Sequence, residues 1–214
     1  LRYPSIKSNP KPGSIIIDHT TTSSDLAIEL SSLLKPKKIS FIDAPISGGQ
    51  SGAESGKLSI MIGGERQSYE KVKNVLNTYS KFYKYMGPSG AGQLTKMVNQ
   101  ICIAGLIQAL SEGMNFADKV GLNIRSVIEV ISKGAAQSWQ MENRWETMLK
   151  DNYDHGFAVD LMKKDLDIVI KKASKENINI EVTKIIDNYY KEIQGAGGGK
   201  WDTSSLYKRL KDIV

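Results

Sequence analysis

The stretch Gly90–Gln100, GAGQLTKMVNQ, decides how the chain folds, because it joins a strand-rich first part to a second part made of helices. An apolar helical run begins at Leu94, and Lys96 lies in its first turns. Asn99 and Gln100 follow three and four residues later, so all three side chains can share one helix face. Helix starts attract anions, so this lysine can hold a carboxylate and move a proton. A solvated lysine on an amphipathic helix is the simpler alternative.

Before this stretch, short β-branched runs alternate with segments of helical periodicity. Such alternation predicts βα units and a mostly parallel sheet. We expect strands at Ser14–Asp18, Ser40–Ala44, Leu58–Ile62 and Phe82–Met86, helices at Ser24–Leu34 and Gln67–Tyr79, an irregular opening at Leu1–Pro12 and a glycine-rich loop at Pro45–Gly56.

After this stretch, the apolar residues follow a period of 3.6 and no strand pattern remains. The sequence therefore predicts an α/β part, residues 1–88, followed by an all-helical part, residues 89–214. The expected helices are Leu94–Val120, Ile124–Lys133, Ser138–Lys150, Val159–Lys175, Glu181–Gln194 and Asp202–Ile213.

The composition excludes several classes of function. The net charge of +6 comes from lysines spread along 214 residues, with no basic block that aromatic residues interrupt, so nucleic acid is not expected as a partner. The longest apolar run, Ile101–Leu110, is too short to span a bilayer. His19, His155 and Cys102 make no metal-binding pattern, and we predict no metal site. Cys102 is the single cysteine and fits a cytoplasmic protein; we expect it to be buried in its helix.

Two loops have the position and the chemistry of ligand-binding loops. Thr20–Thr22 follows the first predicted strand and Ser47–Gly49 follows the second. Ligands of open α/β sheets bind beyond the carboxyl ends of strands, and glycine and serine let backbone N–H groups approach an anion. A helix cap for the threonines and a tight turn for the glycines are equally good alternatives. No strand is followed by a G-x-G-x-x-G turn.

The order of these motifs resembles the β-hydroxyacid dehydrogenase family, in particular its 3-hydroxyisobutyrate dehydrogenase-like members. Residues 43–64, from the Asp43-Ala44-Pro45 start to Gly63-Gly64, resemble the family's substrate-binding signature. Residues 90–100 are similar to its catalytic signature. The similarity covers about Pro12 to the C-terminus, and its further markers are Gly134-Ala135-Ala136 with Ser138-Trp139, Phe157 with Lys164-Asp165-Leu166, and Gly195 with Asp202 and Ser204.

The resemblance implies an enzyme that oxidises a small 3-hydroxy acid, or reduces the semialdehyde, with NAD or NADP. Lys96 would be the general acid/base. The implied substrate-binding residues are Ser47, Gly48, Gly49, Asn99 and Gln100, and the implied cofactor-binding residues are Thr21, Gly92, Phe157, Lys164 and Asp165. Many relatives carry Asn four residues after the lysine, where this chain has Gln100, so either Asn99 or Gln100 can face the substrate.

The family begins with a strand, a glycine turn and a helix that hold the dinucleotide, and we expect this chain to be a fragment that starts after them. The chain alone would then be inactive. The alternative is a non-catalytic helical dimerisation module. Since Leu94–Val120 is apolar on more than one face, and since the family's helical part builds subunit contacts, we expect a homodimer or homotetramer. Which 3-hydroxy acid is used, and whether NAD or NADP, stays open.

Overall fold

A computed structural model describes residues 10–213, which divide into two units, Leu1–Val98 and Asn99–Val214. The irregular opening expected at Leu1–Pro12 lies outside the described residues as far as residue 9. The long helix α4 (Ala91–Lys119) begins in the first unit and continues into the second. The domain boundary expected after residue 88 stays a prediction.

The described part of the first unit contains a sheet whose strands are β1 (Ile15–Asp18), β2 (Ser40–Asp43), β3 (Ile46–Ser47), β4 (Leu58–Gly64) and β5 (Ser80–Gly87). The strand order is β1-β2-β4-β3, and β5 pairs with β4. The longer pairings, β1 with β2 and β4 with β5, are parallel. Parallel pairing therefore dominates, as the alternating pattern predicted.

Two short antiparallel pairings were not expected. β2 meets β4 with Asp43 opposite Gly63, and β3 meets β4 with Ser47 opposite Ser59. The chain from β2 to β3 therefore runs along β4, and the amide of Met61 donates to the carbonyl of Pro45 between the two pairings. This arrangement places both Asp43 and Ser47 beside β4, opposite Gly63 and Ser59.

The helices of the first unit before α4 are α1 (Ser24–Leu34), α2 (Gly49–Glu54) and α3 (Arg66–Leu76). The expectation of a loop throughout Pro45–Gly56 is wrong, because β3 and α2 lie inside it. Gly48 and Gly49 take positive φ angles of 131° and 61°, which glycine tolerates, and the chain turns there from β3 into α2. The glycines of this segment therefore mark a turn between two regular elements and not a continuous loop.

Helices and the turns between them make up the described part of the second unit, apart from an isolated β-bridge between Ala158 and Asp202. After α4 it contains α5 (Ile124–Ile131), α6 (Trp139–Leu149), α7 (Val159–Lys175), α8 (Glu181–Gly195) and α9 (Leu206–Lys208). The single helix expected over Asp202–Ile213 is wrong in detail: a 3-10 turn, Thr203–Ser205, precedes α9 and a π-helical turn, Arg209–Ile213, follows it. An α/β part followed by an all-helical part is confirmed.

Each unit has its own buried apolar clusters. In the first unit, β2 and β4 pack against α3 around Ile42, Ile60 and Leu76. In the second unit, α4, α7 and α8 pack around Ile107 and Leu166. Across residues 10–213, none of the helices has the length and apolar character needed to cross a membrane.

The burial expected for Cys102 is wrong, because this thiol is exposed on α4. A helix that is apolar on several faces has no local signal for which face the fold covers. Leu106, one turn later, is likewise 44% exposed. An uncovered apolar strip therefore runs along this part of α4.

Candidate active site

The residues predicted to form a site fall into two groups, one in each unit. The first unit carries Thr21, Ser47, Gly48, Gly49, Gly92 and Lys96, and the second carries Asn99, Gln100, Phe157, Lys164 and Asp165. Each group has its own framework of hydrogen bonds.

The start of α4 is held by Asp43, the last residue of β2. The Asp43 carboxylate accepts hydrogen bonds from the backbone amides of Gly90, at 2.8 Å, and Gln93, at 3.0 Å. The side chain is fully buried, and burial raises its pKa above the usual value, although these backbone hydrogen bonds act in the opposite direction. The anion that lies at the start of α4 is therefore this chain's own carboxylate, and a carboxylate held by Lys96 stays a prediction.

Two glycines allow Asp43 to approach this closely. A Cβ atom on Gly63 would lie 2.5 Å from the carboxylate, and one on Gly92 would lie 2.6 Å from the Asp43 carbonyl and 2.5 Å from the Met61 carbonyl. Gly92, expected to contact the cofactor, is thus buried against β2 and β4. Its contact with the cofactor stays a prediction.

The side chain of Gln93 joins α4 to the loop after β1. Its Oε1 accepts a hydrogen bond from the Thr22 amide at 3.0 Å, and its Nε2 donates to the Thr20 carbonyl at 2.8 Å. The side chain is 1% exposed. The side-chain amide of Gln93 therefore fixes the backbone on both sides of Thr21. The sequence analysis did not single out Gln93. The signal for it was a glutamine in the first turn of a helix, where amides commonly make capping contacts.

Lys96 lies one turn after Gln93 and is 7% exposed. A lysine this deeply buried does not simply solvate a helix face, so the simpler alternative from the sequence is wrong. Ser47 ends β3 and is half-buried, while Gly48 and Gly49 are exposed with positive φ angles. Nothing lies within 4 Å of the position that a Cβ atom on Gly49 would take, so the backbone there is open to a ligand.

In the second unit, the predicted residues of α4 and α7 form a chain of polar contacts. Gln100 donates from Nε2 to Asp165 at 2.7 Å, and its Oε1 accepts from Asn99 at 2.8 Å. Lys164 Nζ lies 2.9 Å from the other oxygen of Asp165. Gln100 and Asp165 are buried, whereas Asn99 is half-buried and Lys164 is 47% exposed.

Phe157 is held in the segment before α7 by Asp202. Its amide donates to the Asp202 carboxylate at 2.8 Å, and its side chain packs against the cluster around Leu166. The same carboxylate also accepts from the amide of Ser204 and lies 3.3 Å from Arg144 Nε. Asp202 and Ser204, quoted above as family markers, therefore act as a structural brace for Phe157. Among residues 10–213 there is no group of three or more His, Cys, Asp or Glu residues arranged to hold a metal ion.

Models of known families match both parts of the chain. Residues 2–87 match the NAD binding domain of 6-phosphogluconate dehydrogenase, and residues 90–210 match the NAD-binding domain of NADP-dependent 3-hydroxyisobutyrate dehydrogenase. The chain therefore belongs to the β-hydroxyacid dehydrogenase family, whose cofactor is NAD or NADP.

Individual relatives agree with this assignment. An uncharacterised oxidoreductase of Shewanella frigidimarina is 53% identical over 199 residues, which cover 93% of this chain and 68% of the relative. The 2-hydroxy-3-oxopropionate reductase of Escherichia coli is 34% identical over 171 residues, or 80% of this chain and 59% of that enzyme. The crystal structure of a 3-hydroxyisobutyrate dehydrogenase from Salmonella typhimurium superposes with a TM-score of 0.84 at 30% identity, covering 92% of this chain and 70% of that one.

The residues present fit part of the cofactor. The loop carrying Thr21 is open enough for contact, since Thr21 is half-buried, and its backbone is fixed by Gln93. The contact of Thr21 with the nicotinamide side stays a prediction. The pyrophosphate is normally held by a glycine turn after a strand, and the printed sequence contains no G-x-G-x-x-G in that position.

Proposed function

We propose that this chain supplies the substrate-binding and catalytic residues of an NAD(P)-dependent 3-hydroxyacid dehydrogenase that oxidises a small 3-hydroxy acid or reduces the corresponding semialdehyde. The observation that carries the proposal is the burial of Lys96 on the helix whose start is fixed by Asp43 and Gln93. A catalytic acid/base must be held in one geometry, and a lysine on a fixed and buried helical turn meets that condition.

Lys96 has the role of general acid/base in this proposal. It takes the hydroxyl proton when the hydroxy acid is oxidised, and it protonates the carbonyl oxygen in the reverse direction. When bound, the nicotinamide supplies the chemistry of hydride transfer. Lys96 determines where the proton moves, and exclusion of water around it is supported by its low exposure.

The substrate carboxylate binds, in this proposal, to the backbone of Ser47, Gly48 and Gly49. The positive φ angles of the two glycines and the open space beside Gly49 support this role, since consecutive amides in such conformations form anion-binding nests. The serine hydroxyl provides a further donor at the end of β3. The substrate is therefore a small carboxylate.

Of the two candidate amides, we assign the contact with the substrate to Asn99. Both amide atoms of Gln100 already bond within the protein, to Asp165 and to Asn99. Asn99 is half-buried and so keeps access to a ligand. Gln100 then acts by holding Asn99 in place, while Thr21, Phe157, Lys164 and Asp165 retain their proposed role at the cofactor.

We also propose that a second copy of the chain covers part of the second unit. Phe116 and Val130 are 66% and 73% exposed, and Leu106 on α4 and Val120, directly after α4, are exposed as well. An apolar cavity of about 300 Å³ between α4, α5 and α6 adjoins this surface. Contiguous exposed apolar surface of this kind marks protein interfaces.

A cofactor titration with a turnover assay tests the enzymatic proposal. The 214-residue chain and the same chain preceded by the first βαβ unit of the Shewanella frigidimarina relative are each titrated with NAD⁺ and NADP⁺ and assayed for oxidation of small 3-hydroxy acids. We expect turnover from the extended protein and none from the chain by itself, because the latter has no glycine turn for the pyrophosphate. An extended protein that binds cofactor but turns over no 3-hydroxy acid would favour the non-catalytic dimerisation module instead.

A further inference from the structure

We propose that Gln93 is a positioning residue that sets the spacing between the loop Thr20–Thr22 and Lys96. The inference rests on the proposed function, which places Thr21 at the cofactor and Lys96 at the reacting oxygen. In this inference, Gln93 fixes the distance between the loop Thr20–Thr22 and Lys96 and contacts neither substrate nor cofactor.

The contacts of Gln93 carry this inference because they are bidentate and come from a side chain that is almost fully buried. One amide group accepts from the Thr22 amide and donates to the Thr20 carbonyl, so it pairs with the loop as the backbone of a neighbouring strand would. The Gln93 side chain is 1% exposed. The loop residue between the two bonds, Thr21, therefore has a fixed backbone.

Gln93 is itself fixed from the other side. Its own backbone amide donates to Asp43 at 3.0 Å, so the turn of helix that carries it is anchored to the end of β2. A Cβ atom on the preceding residue, Gly92, would lie 2.8 Å from the same carboxylate, which shows how tightly that turn is packed. Gln93 cannot shift without breaking either a side-chain hydrogen bond to the loop or its buried backbone hydrogen bond to Asp43.

Helix geometry connects Gln93 with Lys96. The two residues are three positions apart, which places them on the same side of the helix and about 4.5 Å apart along its axis. The loop after β1 is therefore tied to the face of α4 from which Lys96 projects. A displacement of about 1 Å between reacting groups can reduce a rate by about 10²-fold, so a fixed spacing here matters for turnover.

The first experiment does not depend on activity. Gln93→Met keeps the length and helix propensity of the side chain but removes both hydrogen bonds, and Gln108→Met is the matched control, since Gln108 is another buried glutamine of α4 with its own partner, Glu112. Hydrogen exchange by NMR on the 214-residue chain should show the Thr22 amide exchanging about three- to tenfold faster in Gln93→Met only, the range expected for one lost hydrogen bond. An unchanged Thr22 amide overturns the inference.

The second experiment measures turnover in the extended protein described above. We expect kcat to fall by about 10- to 100-fold in Gln93→Met while KM for the hydroxy acid stays within about twofold, because Gln93 bonds neither to Ser47–Gly49 nor to Asn99, which Gln100 holds. Gln108→Met should keep the parent kcat. If Gln93→Met fails to fold, Gln93→Glu replaces it, since an ionised glutamate cannot donate to the Thr20 carbonyl and should also lower kcat.

The outcomes separate the two proposals. If the parent is active and the Gln93 variant keeps the parent kcat, the positioning role of Gln93 is refuted and the proposed function stands. A parent protein without any dehydrogenase activity overturns the proposed function and with it the catalytic meaning of Gln93, whatever the exchange of the Thr22 amide shows.

Discussion

Replacement of Gly92 by alanine tests the packing that fixes the start of α4. The new Cβ atom would lie 2.5 Å from the carbonyl oxygen of Met61, 2.6 Å from that of Asp43 and 2.8 Å from the Asp43 carboxylate. Two of these atoms belong to the backbone of sheet strands, so they cannot rotate away. Relief requires a shift of the helix against the sheet.

The expected cost follows from these contacts. Overpacking of a buried site typically destabilises by about 1–3 kcal/mol. Gly105→Ala is the matched control: Gly105 also lies within α4, but nothing lies within 4 Å of its added Cβ atom, so alanine there should gain about 1 kcal/mol from helix propensity. The two variants should therefore differ by about 2–4 kcal/mol in free energy of unfolding.

Thermal unfolding followed by circular dichroism measures this difference. For a chain of this size, about 1 kcal/mol corresponds to about 2–4 °C in melting temperature, so Gly92→Ala should melt about 4–16 °C below Gly105→Ala. Equal melting temperatures would refute the argument that Asp43, Gly92 and β4 are packed together. A stable Gly92→Ala variant that lost only cofactor affinity would instead support the cofactor contact expected from the sequence.

Three further outcomes are expected. Lys96→Ala in the extended enzyme should lower kcat by about 10²–10⁴-fold and leave the circular dichroism spectrum unchanged. The control Lys119→Ala, at the far end of the same helix, should leave kcat unchanged. If the rate of Lys96→Ala stays within tenfold of the parent rate, Lys96 has no catalytic role. Burial raises the pKa of Asp43, so the stability that its protonated form contributes is fully present below the ordinary pKa of 3.8 and is lost as the pH rises through the pKa of the folded protein. Over that pH range, urea unfolding should show that the free energy of unfolding of the parent falls relative to that of Asp43→Asn. Parallel pH profiles of the two proteins would contradict this prediction. Phe116→Glu should convert the proposed dimer to a monomer, as measured by light scattering at micromolar concentration. The control Val182→Glu, at a comparably exposed position on α8, should leave the dimer intact. A parent protein that is already a monomer rules out the dimer.

Local signals were sufficient for several helices. Helix α1 spans the predicted Ser24–Leu34, and α7 spans the predicted Val159–Lys175. In α1 the boundary is set by a nearby side chain, since the hydroxyl of Ser23 accepts from the amide of Leu26. Capping and apolar periodicity act over one or two turns, so a single sequence contains what is needed to predict them.

Long-range pairing was not predictable in the same way. Strand β3 is two residues long and exists because it pairs with Ile60 and Ser59 of β4, a contact for which its own residues give no sign. The exposure of Cys102 likewise depends on which faces of α4 the rest of the fold covers. In both cases the decisive information lies elsewhere in the chain.

The candidate site shows the same division. The motif order proposes Lys96 and the pair Asn99 and Gln100, and our choice of Asn99 rests on a contact that the motif does not contain, the hydrogen bond from Gln100 to Asp165, 65 positions away. A pattern of residue types cannot state which of two adjacent amides bonds to a distant part of the protein.

The framework of the first unit explains why three separated motifs occur together. Asp43 ends β2 and holds the start of α4, Gly63 and Gly92 leave room for its carboxylate, and Gln93 holds the loop after β1. Asp43, Gly63 and Gln93 have no direct chemical role in the proposed reaction, and the cofactor contact of Gly92 stays a prediction. If Lys96 is the proton-transferring group as proposed, a change in any one of these residues would move the helix turn that carries it, and such a group tolerates little displacement. In this proposal, much of the motif around Lys96 is therefore the geometry that supports a single lysine.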